Sequence, residues 1–485
     1  MARSKMRWVP PLLVFCLLAS LPWMAPGAAG QELEDVLEGF EDEAEPAGDD
    51  ALDSVLEGFE SDGSAATETV DDDAAILPDW FSIDGYFKFG ASYNVAHEAP
   101  ESGETDWRGG SRLRSELQVD LDARFSNAWR ARIGAKGFYD AVYAIRGRDE
   151  FTGAVLDEYE DEVEFREVYL LGRLTDNLDL KAGRQIVVWG NSDNIRVTDV
   201  LNPLDMREPG LTDIEDLRLP VTMTKLDYYF GDWNLSGMAI HEIRFDKTPV
   251  FGHDFYAGAA PRPPEDDPAQ TLENTEWALS LGGIFSGWDI DFYYARVFND
   301  TPHIGIVSNG PPRTVRRKHA RLNLYGIAYN KALGNWLLKT EAALLDGLEF
   351  FNRSDPDYTR LDALVGVEYS GFRETTISLE VADRHLFDYD EALASAPDGV
   401  QKDMIQSVLR YTRDFRNDTL TLTLLASVFG PGDADGAFER LSLEYDLTDA
   451  VELRGGAVLY QSGDLPNMRR IGDNDRLFLE VKYHF

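Results

Sequence analysis

The chain has 485 residues, with 87 aspartates and glutamates against 46 lysines and arginines, which gives a formal net charge of −41. An excess of negative charge this large argues against a protein that binds nucleic acids through their phosphate backbone. The single cysteine, Cys16, lies in an N-terminal apolar run that we expect to be removed, so disulfides, thiolate metal sites and cysteine nucleophiles are also excluded.

The N-terminus is typical of a secretory signal peptide. Three basic residues precede an apolar run over residues 9–21, and small residues follow at 27–30. A signal anchor is the alternative, but two prolines interrupt the run, which is also shorter than the roughly 20 apolar residues of a spanning helix. We therefore predict a signal peptide over residues 1–30, with cleavage near Ala29 or Gly30. No other segment of the sequence reads as a spanning helix, so residence in a membrane would require strands.

Residues 31–79 form an acidic segment with nineteen aspartates and glutamates and no lysine or arginine. Such a composition repels itself and buries too little apolar surface to fold alone, so we predict a disordered tail. Within this tail, the sequence Leu33–Asp42 returns nineteen residues later as Leu52–Ser61.

Each copy of this repeat contains a Leu-Glu-Gly-Phe motif and spaces its apolar residues at i, i+3, i+4 and i+7, which predicts a short amphipathic helix. A helix this short is marginal in water unless it docks on another surface. We expect the two apolar stripes to dock in a groove of a periplasmic partner, and a solvated spacer that arose by duplication is the alternative. The stripes consist of Leu33, Val36, Leu37 and Phe40 in the first copy and Leu52, Val55, Leu56 and Phe59 in the second.

From Trp80 to the last residue, apolar and polar residues alternate with a period of two. In the segment Arg112–Phe125, one face is apolar and the other is almost entirely charged. About eighteen such segments follow one another, most of them near or above the ~9–11 residues of a tilted transmembrane strand. Short turns alternate with long polar loops between them, as in outer-membrane barrels. A soluble sandwich would explain a single strand of this kind, but the repetition predicts an all-β fold, a transmembrane antiparallel β-barrel of about 18 strands over residues 80–485.

Four tryptophans occupy equivalent places in this pattern. Trp129, Trp233, Trp288 and Trp336 each follow a short turn and open a strand. This placement predicts an aromatic belt at one membrane interface, and four buried core tryptophans are the alternative.

The last segment, Arg476–Phe485, places five apolar residues on one face and ends on a phenylalanine. It resembles the terminal strand by which the barrel assembly machinery of Gram-negative bacteria recognises outer-membrane proteins, with Tyr483 and Phe485 as the recognition residues. We therefore expect the protein in the outer membrane, in contact with its lipid. An even number of strands would place both ends of the barrel, and the acidic tail, on the periplasmic side.

The sequence contains no pattern that points to catalysis. It has no Gly-x-Ser-x-Gly motif, and His241-Glu242 lacks the second histidine of a zinc protease motif. The seven histidines are scattered singly. We predict that the protein is not an enzyme and has no cofactor or metal site.

The inner face of the barrel is expected to contain many charges, and the interior of eighteen strands is wider than side chains can fill. Mixed charges across a pore order water and steer solutes, whereas ion pairs that stiffen the wall are the alternative. The candidates in the lumen are Arg112, Arg114, Arg130 and Arg132.

The most distinctive stretch is Gly183–Gly190, with the sequence GRQIVVWG, followed by Asp199–Gly210, with the sequence DVLNPLDMREPG. Its Gly-Arg-Gln, Trp-Gly and Asn-Pro-x-Asp elements resemble, in this order, those of an uncharacterised proteobacterial family of outer-membrane β-barrels. The resemblance implies a barrel of unknown substrate, often encoded beside exporters of the RND or MMPL type and near periplasmic carriers. By association it implies traffic of hydrophobic or lipid-like molecules, with such a carrier or exporter as a partner.

The same stretch predicts a constriction. Strict alternation would place Arg184 in lipid at a cost of about 2–4 kcal/mol, so we expect a β-bulge at Gly183 to return it to the lumen. Proline and glycine mark turns in the loop from Asn191 to Leu219, which we expect to fold back over or into the barrel. The candidates for anchoring this loop, or for gating a substrate, are Arg184, Trp189, Asp199, Asn202, Asp205 and Arg207.

Three functions follow from these patterns. The first is translocation of hydrophobic or lipid-like cargo, coupled through the acidic tail to a periplasmic or inner-membrane transporter. The second is a passive diffusion porin for small solutes. The third is a structural or adhesion barrel. We expect the first, because a porin has no obvious use for the two motifs of the tail.

Overall fold

The computed structural model describes residues 78–485 apart from positions 102, 213, 309, 311–313, 352–357 and 398, and it describes no side chains at 214 and 215. The predicted signal peptide and both tail repeats lie outside the described residues. Among the residues that are described, no helix has the length and apolar character needed to cross a membrane.

Eighteen strands form one antiparallel sheet, and two further strands, β10 and β11, form a separate hairpin. The strands are β1 (Phe81–Asn94), β2 (Gly109–Ser126), β3 (Trp129–Asp140), β4 (Asp161–Thr175), β5 (Leu178–Gln185), β6 (Val221–Phe230), β7 (Trp233–Ile240), β8 (Glu276–Phe285), β9 (Trp288–Phe298), β10 (His303–Ser308), β11 (Thr314–Lys318), β12 (Arg321–Leu333), β13 (Trp336–Leu348), β14 (Tyr358–Phe372), β15 (Thr375–Leu386), β16 (Asp403–Phe415), β17 (Leu420–Phe429), β18 (Gly436–Thr448), β19 (Val451–Gln461) and β20 (Arg476–His484). Short helices α1 (Val142–Arg146), α2 (Gly153–Tyr159) and α3 (Ile214–Leu217) lie in the connections.

The sheet closes on itself, because β1 pairs with both β2 and β20. The last residue takes part in the closure: Phe485 and Gly85 exchange two backbone hydrogen bonds of 3.0 Å. A closed barrel leaves no strand edge unpaired, which is the requirement for a sheet in lipid. The prediction of an all-β antiparallel barrel of about 18 strands is confirmed. The four tryptophans begin β3, β7, β9 and β13 as predicted, whereas β2 begins at Gly109, three residues before the predicted Arg112.

The two ends of the barrel differ in the length of their connections. One end, which we call the turn end, has tight turns such as Ser126–Trp129 and Phe230–Trp233. The other, the loop end, has long connections such as residues 186–220 and 241–275. Both ends of the barrel chain, at Phe81 and His484, lie at the turn end, as an even strand number requires.

The outer face of the barrel is apolar. Phe125 on β2 is 63% exposed and Val365 on β14 is 66% exposed. Exposure of such large apolar side chains to water would be unfavourable. On β20, alternate residues from Leu477 to Phe485 share this outer face. The four strand-opening tryptophans lie at the turn end, and Trp336 is 49% exposed, so they do not form a buried core.

The inner face of β4 contains an irregularity that increases its charge. Between the pairs Ile133–Val168 and Ala135–Phe165 the register shifts, so that Arg166 and Glu167 together oppose one residue of β3. This is a β-bulge. Both charged residues consequently line the interior.

The rest of the inner face is not uniformly charged. Over β6 to β9 and β12 to β15, towards the loop end, small and apolar residues such as Met223, Ala295, Leu324 and Ala343 are buried. Together with residues of the segment 186–220, they form the largest hydrophobic cluster among the described residues. The core therefore lies inside the barrel and holds a loop there.

Candidate functional site

The connection between β5 and β6, residues 186–220, lies within the barrel, and we call it the constriction loop. Its first part reaches the wall at β13 and β15 through Glu341 and Glu380. Its later part reaches β2 and β19, where Glu208 pairs with Arg114 at 3.0 Å and Tyr460 donates to the carbonyl of Pro209 at 2.6 Å. The loop thus spans the interior between separate parts of the wall.

Two glutamates of the wall bind the first part of the constriction loop. The Glu341 carboxylate accepts hydrogen bonds from the backbone of Asn191 and Ser192 at 2.6 and 2.8 Å. It also accepts one from the Thr198 hydroxyl at 2.9 Å. On β15, Glu380 accepts further bonds from the loop, including one from the Ser192 hydroxyl at 2.8 Å. Hydrogen bonds to a charged acceptor are stronger than neutral ones, so these carboxylates hold the loop firmly.

Asn202 holds the two ends of the constriction loop together. Its side chain is fully buried. Its amide oxygen accepts from the Val187 backbone at 2.8 Å, and its amide nitrogen donates to the carbonyls of Gln185 and Leu219 at 3.3 and 2.9 Å. One side chain therefore satisfies three buried backbone groups, which would otherwise be costly.

Asp199 and Trp189 stabilise the middle of the loop. The Asp199 carboxylate is 2.9 Å from the Arg218 guanidinium and 3.3 Å from that of Arg196. The Trp189 ring is 5% exposed and stacks on Tyr293 of the wall, with ring centroids 4.7 Å apart. Aromatic stacking adds to the free energy of burial.

Asp205 and Arg207 link the constriction loop to β4. The Arg207 guanidinium is 2.6 Å from Asp205 and 2.7 Å from Glu162. Burial alone would lower the pKa of Arg207, but the two carboxylates outweigh it and raise this pKa. The Tyr159 hydroxyl also donates to the Arg207 carbonyl, at 3.1 Å.

The bulge expected at Gly183 is absent. The register of β5 with β6 runs through Gly183 without a shift, and so does its register with β4. Gly183 instead adopts a φ of 131°, where an added Cβ would overlap the Val168 carbonyl, so only glycine fits here. The charge of Arg184 is balanced by Glu164 at 2.9 Å and Glu242 at 3.3 Å.

The four arginines predicted in the lumen have different surroundings. Arg114 pairs with Glu208 of the constriction loop and with Asp140. Arg132 binds Asp122 at 2.9 Å. The other two are Arg112, which is 3.6 Å from Glu480, and Arg130, which is exposed near the turn end of β3.

A cavity of about 330 Å³ separates the constriction loop from the wall formed by β1 to β4, β19 and β20. Of its 23 lining residues, nine are lysine or arginine and eight are aspartate or glutamate. Arg112, Arg114, Arg132, Asp205 and Arg207 are among them, and the remaining site candidates are not. The space beside the loop is therefore surrounded by charges of both signs.

A second loop lies across the loop end. We call residues 241–275 the cover loop. Starting next to β7, it reaches β1 and β20, where Asp254 accepts hydrogen bonds from Arg476 at 2.9 Å and from Asn94 at 3.1 Å. Burial would raise the pKa of Asp254, but Arg476 outweighs it and lowers this pKa.

The neighbouring residue, His253, is packed among aromatic rings. Its imidazole stacks on Tyr159 with centroids 3.8 Å apart. Burial lowers the pKa of His253 to about 4. The imidazole is consequently neutral at pH 7.

The family described as "Protein of unknown function (DUF1302)" matches residues 63–485. The chain belongs to this family. The expected membership of an uncharacterised family is thereby confirmed, whereas the motif assignments and the link to exporters stay predictions. No curated protein matches the sequence.

Solved structures resemble this DUF1302 barrel in fold. A BenF-like porin from Pseudomonas fluorescens Pf-5 has a TM-score of 0.52 at 10% identity, covering 84% of this chain and 99% of the porin. OccAB2 from Acinetobacter baumannii has a TM-score of 0.50 at 10% identity, covering 84% of this chain and 98% of OccAB2. At this identity, the likeness shows a shared barrel fold.

The sequence did not reveal the importance of Glu341, which is the main acceptor for the constriction loop. On β13 it stands between Lys339 and the small residue Ala343 on the same face. In the sequence, an inward-facing glutamate that binds a loop cannot be told from any other charged residue of the lumen. The change from charged to small and apolar residues along the strand is the signal that an element packs there.

Proposed function

We propose that this DUF1302 protein is an outer-membrane channel through which small charged or polar solutes pass the constriction loop. The observation that supports this most directly is the charged cavity of about 330 Å³ between that loop and the wall. A cavity lined by 17 charged residues out of 23 favours water and polar solutes. A channel of this kind needs no catalytic group.

The location follows from the outer surface. The apolar face, the tryptophans at the turn end and the closed sheet are what a barrel needs in lipid. Short turns face the periplasm in outer-membrane barrels. We therefore propose that the turn end and the acidic tail face the periplasm and that the loop end faces outwards. The porin fold of the BenF-like structure supports this location.

The candidate residues of the constriction loop act, in this proposal, as anchors. The polar groups of Asp199, Asn202 and Arg207 are all bound to other groups of the protein. A group that gates a solute must be able to exchange partners, whereas these are buried and paired. Residues that meet the solute are then the more exposed wall residues of the cavity, such as Lys136, whose side chain is 31% exposed.

A hydrophobic or lipid-like cargo, coupled through the tail to an exporter, is the second proposal, and it rests on the resemblance. An acyl chain gains free energy by leaving water for an apolar surface, and the charged cavity offers little of it. Tail-dependent coupling is tested by recovery of an exporter or carrier from solubilised envelopes with the intact protein, but not with a variant that lacks residues 31–79.

Planar bilayers test the channel itself. We expect discrete conductance steps from the purified full chain, and a selectivity that depends on cavity charge. Lys482→Glu reverses a charge that lines the cavity, so the reversal potential in a salt gradient should move towards cation preference. Lys331→Glu makes the same change at an exposed site near the turn end and is the control. A silent bilayer with correctly folded protein, or equal shifts in both variants, would contradict a solute path through this cavity.

A further inference from the structure

Three groups that can bind a metal ion meet at the loop end, outside the constriction. Glu265 and Asp267 belong to the cover loop, and His319 lies just before β12. One ligand atom from each lies within 4.8 Å of the other two. His319 is 54 positions from Glu265 in sequence, which is why no metal motif is visible there. The site does not depend on the channel proposed above.

The orientation of His319 indicates which atom would bind. Its Nδ1 is 2.6 Å from the backbone carbonyl oxygen of Asn299. A carbonyl oxygen only accepts hydrogen bonds, so Nδ1 must hold a proton and donate it. Histidines that bind metals are commonly fixed in this way, with one ring nitrogen donating to a carbonyl and the other directed at the ion.

The other ring nitrogen, Nε2, faces the acidic residues. It is 2.7 Å from Oε1 of Glu265. A bare nitrogen and a carboxylate oxygen both present lone pairs and repel each other at this distance, so a positive species must stand between or beside them. That species is either a proton on Nε2 or a metal ion bound by both atoms. The carboxylate of Asp267, which is exposed, adds a second negative charge on the same side.

The surroundings hold two of the three ligands in place. The His319 side chain is 0% exposed, and its ring stacks on Phe245. The backbone around Glu265 is joined to Arg317 of β11 by hydrogen bonds of 3.0 and 2.9 Å on either side. The Arg317 guanidinium binds the other oxygen of Glu265 and directs Oε1 at the histidine. Such outer contacts are typical of metal ligands.

We propose that Glu265, Asp267 and His319 bind a divalent first-row transition metal ion, with Zn²⁺ as the preferred probe. One imidazole and two carboxylates suit such ions better than they suit Ca²⁺ or Mg²⁺, which prefer oxygen ligands alone. Neighbouring ligand atoms around tetrahedral Zn²⁺ lie about 3.3–3.6 Å apart, since each is about 2.0–2.2 Å from the ion, so binding would widen the 2.7 Å separation of Nε2 and Oε1. The exposed carboxylate of Asp267, within 4.8 Å of the other two ligand atoms, is the ligand that would move to reach this distance.

Occupancy would fasten the cover loop to β12. The cover loop in turn holds the constriction loop, because Asp246 accepts a hydrogen bond from the Leu204 backbone at 2.6 Å. Asp246 directly follows Phe245, the residue stacked on His319. The metal ion would therefore stabilise the contact between the two loops.

Isothermal titration calorimetry of the full chain in detergent tests the site. Zn²⁺ should bind with one high-affinity site per chain, and Asp267→Asn should weaken this binding at least tenfold. Asp266→Asn removes the same charge one position away, also at an exposed residue, and should leave it unchanged. Both variants retain the acidic tail, so weak binding of Zn²⁺ there cancels in the comparison.

A spectroscopic readout identifies the ligands. Co²⁺ in place of Zn²⁺ should give a visible absorption band that His319→Gln abolishes, provided that circular dichroism shows the barrel intact. Absence of saturable binding by the unaltered protein would mean that a proton on Nε2 balances Glu265, and it would overturn the proposal. Equal weakening by Asp266→Asn and Asp267→Asn would overturn it as well, because the binding would then be adventitious.

Discussion

Removal of one charge at Glu341 should release the first part of the constriction loop. Glu341 is 4% exposed, and its carboxylate accepts from Asn191, Ser192 and Thr198 of the loop. In Glu341→Gln, one side-chain oxygen remains and can still accept from two of these donors. The other oxygen is replaced by an NH₂ group, which donates hydrogen bonds and cannot accept them. The loop loses the charge on its acceptor together with part of the bonding to Thr198.

The size of the effect follows from the number of bonds. Hydrogen bonds to charged groups contribute about 1.5–3 kcal/mol each, against about 0.5–1.5 kcal/mol for neutral ones. Weakening of two bonds by about 1–1.5 kcal/mol each and loss of a third, worth about 1.5–3 kcal/mol, sum to about 3.5–6 kcal/mol. The lower desolvation cost of a neutral amide reduces this to about 3 kcal/mol. A difference of about 3 kcal/mol raises the population with the loop detached roughly a hundredfold.

Hydrogen exchange measures this population directly, because amides that are bonded to Glu341 exchange only when the loop opens. We expect exchange in residues 190–198 to accelerate up to about a hundredfold in Glu341→Gln, and single-channel currents to become larger and noisier. Glu444→Gln is the control, since Glu444 is a charged wall residue of β18 whose ion-pair partner, Arg454 at 2.5 Å, belongs to the neighbouring strand β19. Unchanged exchange in an intact Glu341→Gln barrel, or equal acceleration in the control, would refute the anchoring role.

Three further changes test other parts of the argument. Asn202→Ala removes three buried hydrogen bonds and should destabilise the constriction loop by about 2–4 kcal/mol in hydrogen exchange, whereas Asn191→Ala removes an amide nitrogen that has no partner and should change little. Gly183→Ala should lower the temperature at which the barrel unfolds on a heat-modifiability gel, while Gly153→Ala, whose new methyl group meets nothing within 4 Å, should not. The pKa of His253 is about 4 in the folded protein against 6.5 in the unfolded chain. Its neutral form therefore stabilises the cover loop above pH 6.5, and up to about 3 kcal/mol is lost as the pH falls to 4. Exchange in the cover loop, corrected for intrinsic rates, should accelerate between pH 7 and 5, and His253→Phe should remove this dependence.

The strands could be predicted from sequence because their determinants are local. Alternation with a period of two is imposed by lipid on one side and water on the other, and turn residues mark where a strand ends. Trp129 and Trp336 each begin a strand at the predicted residue for this reason. The first residue of a strand is less certain at the loop end, where polar residues continue into the loop, as at Gly109.

The constriction loop was predicted as an element, but its contacts were not. Prolines and glycines indicate a loop that folds back, yet the residues that receive it lie far away in sequence. Glu341 is 150 positions from Asn191, and no local pattern encodes such a pairing. The prediction of a bulge at Gly183 was wrong for a related reason. The prediction assumed that Arg184 needed the lumen, whereas Glu164 and Glu242 from neighbouring segments balance its charge in place.

In the proposed channel, the arrangement of the inner face determines where a solute passes. Small and apolar residues from β6 to β9 and β12 to β15 bury one side of the constriction loop. The inner face of β1 to β4, β19 and β20 carries most of the charges that line the cavity, although Leu211 of the constriction loop packs on Val458 and Phe478 there. In the proposed channel, the charged cavity on that side is the path of the solute. The inner-face pattern, read strand by strand, thus indicates which side of the constriction loop packs on the wall, even where it does not reveal the individual bonds that fix the loop.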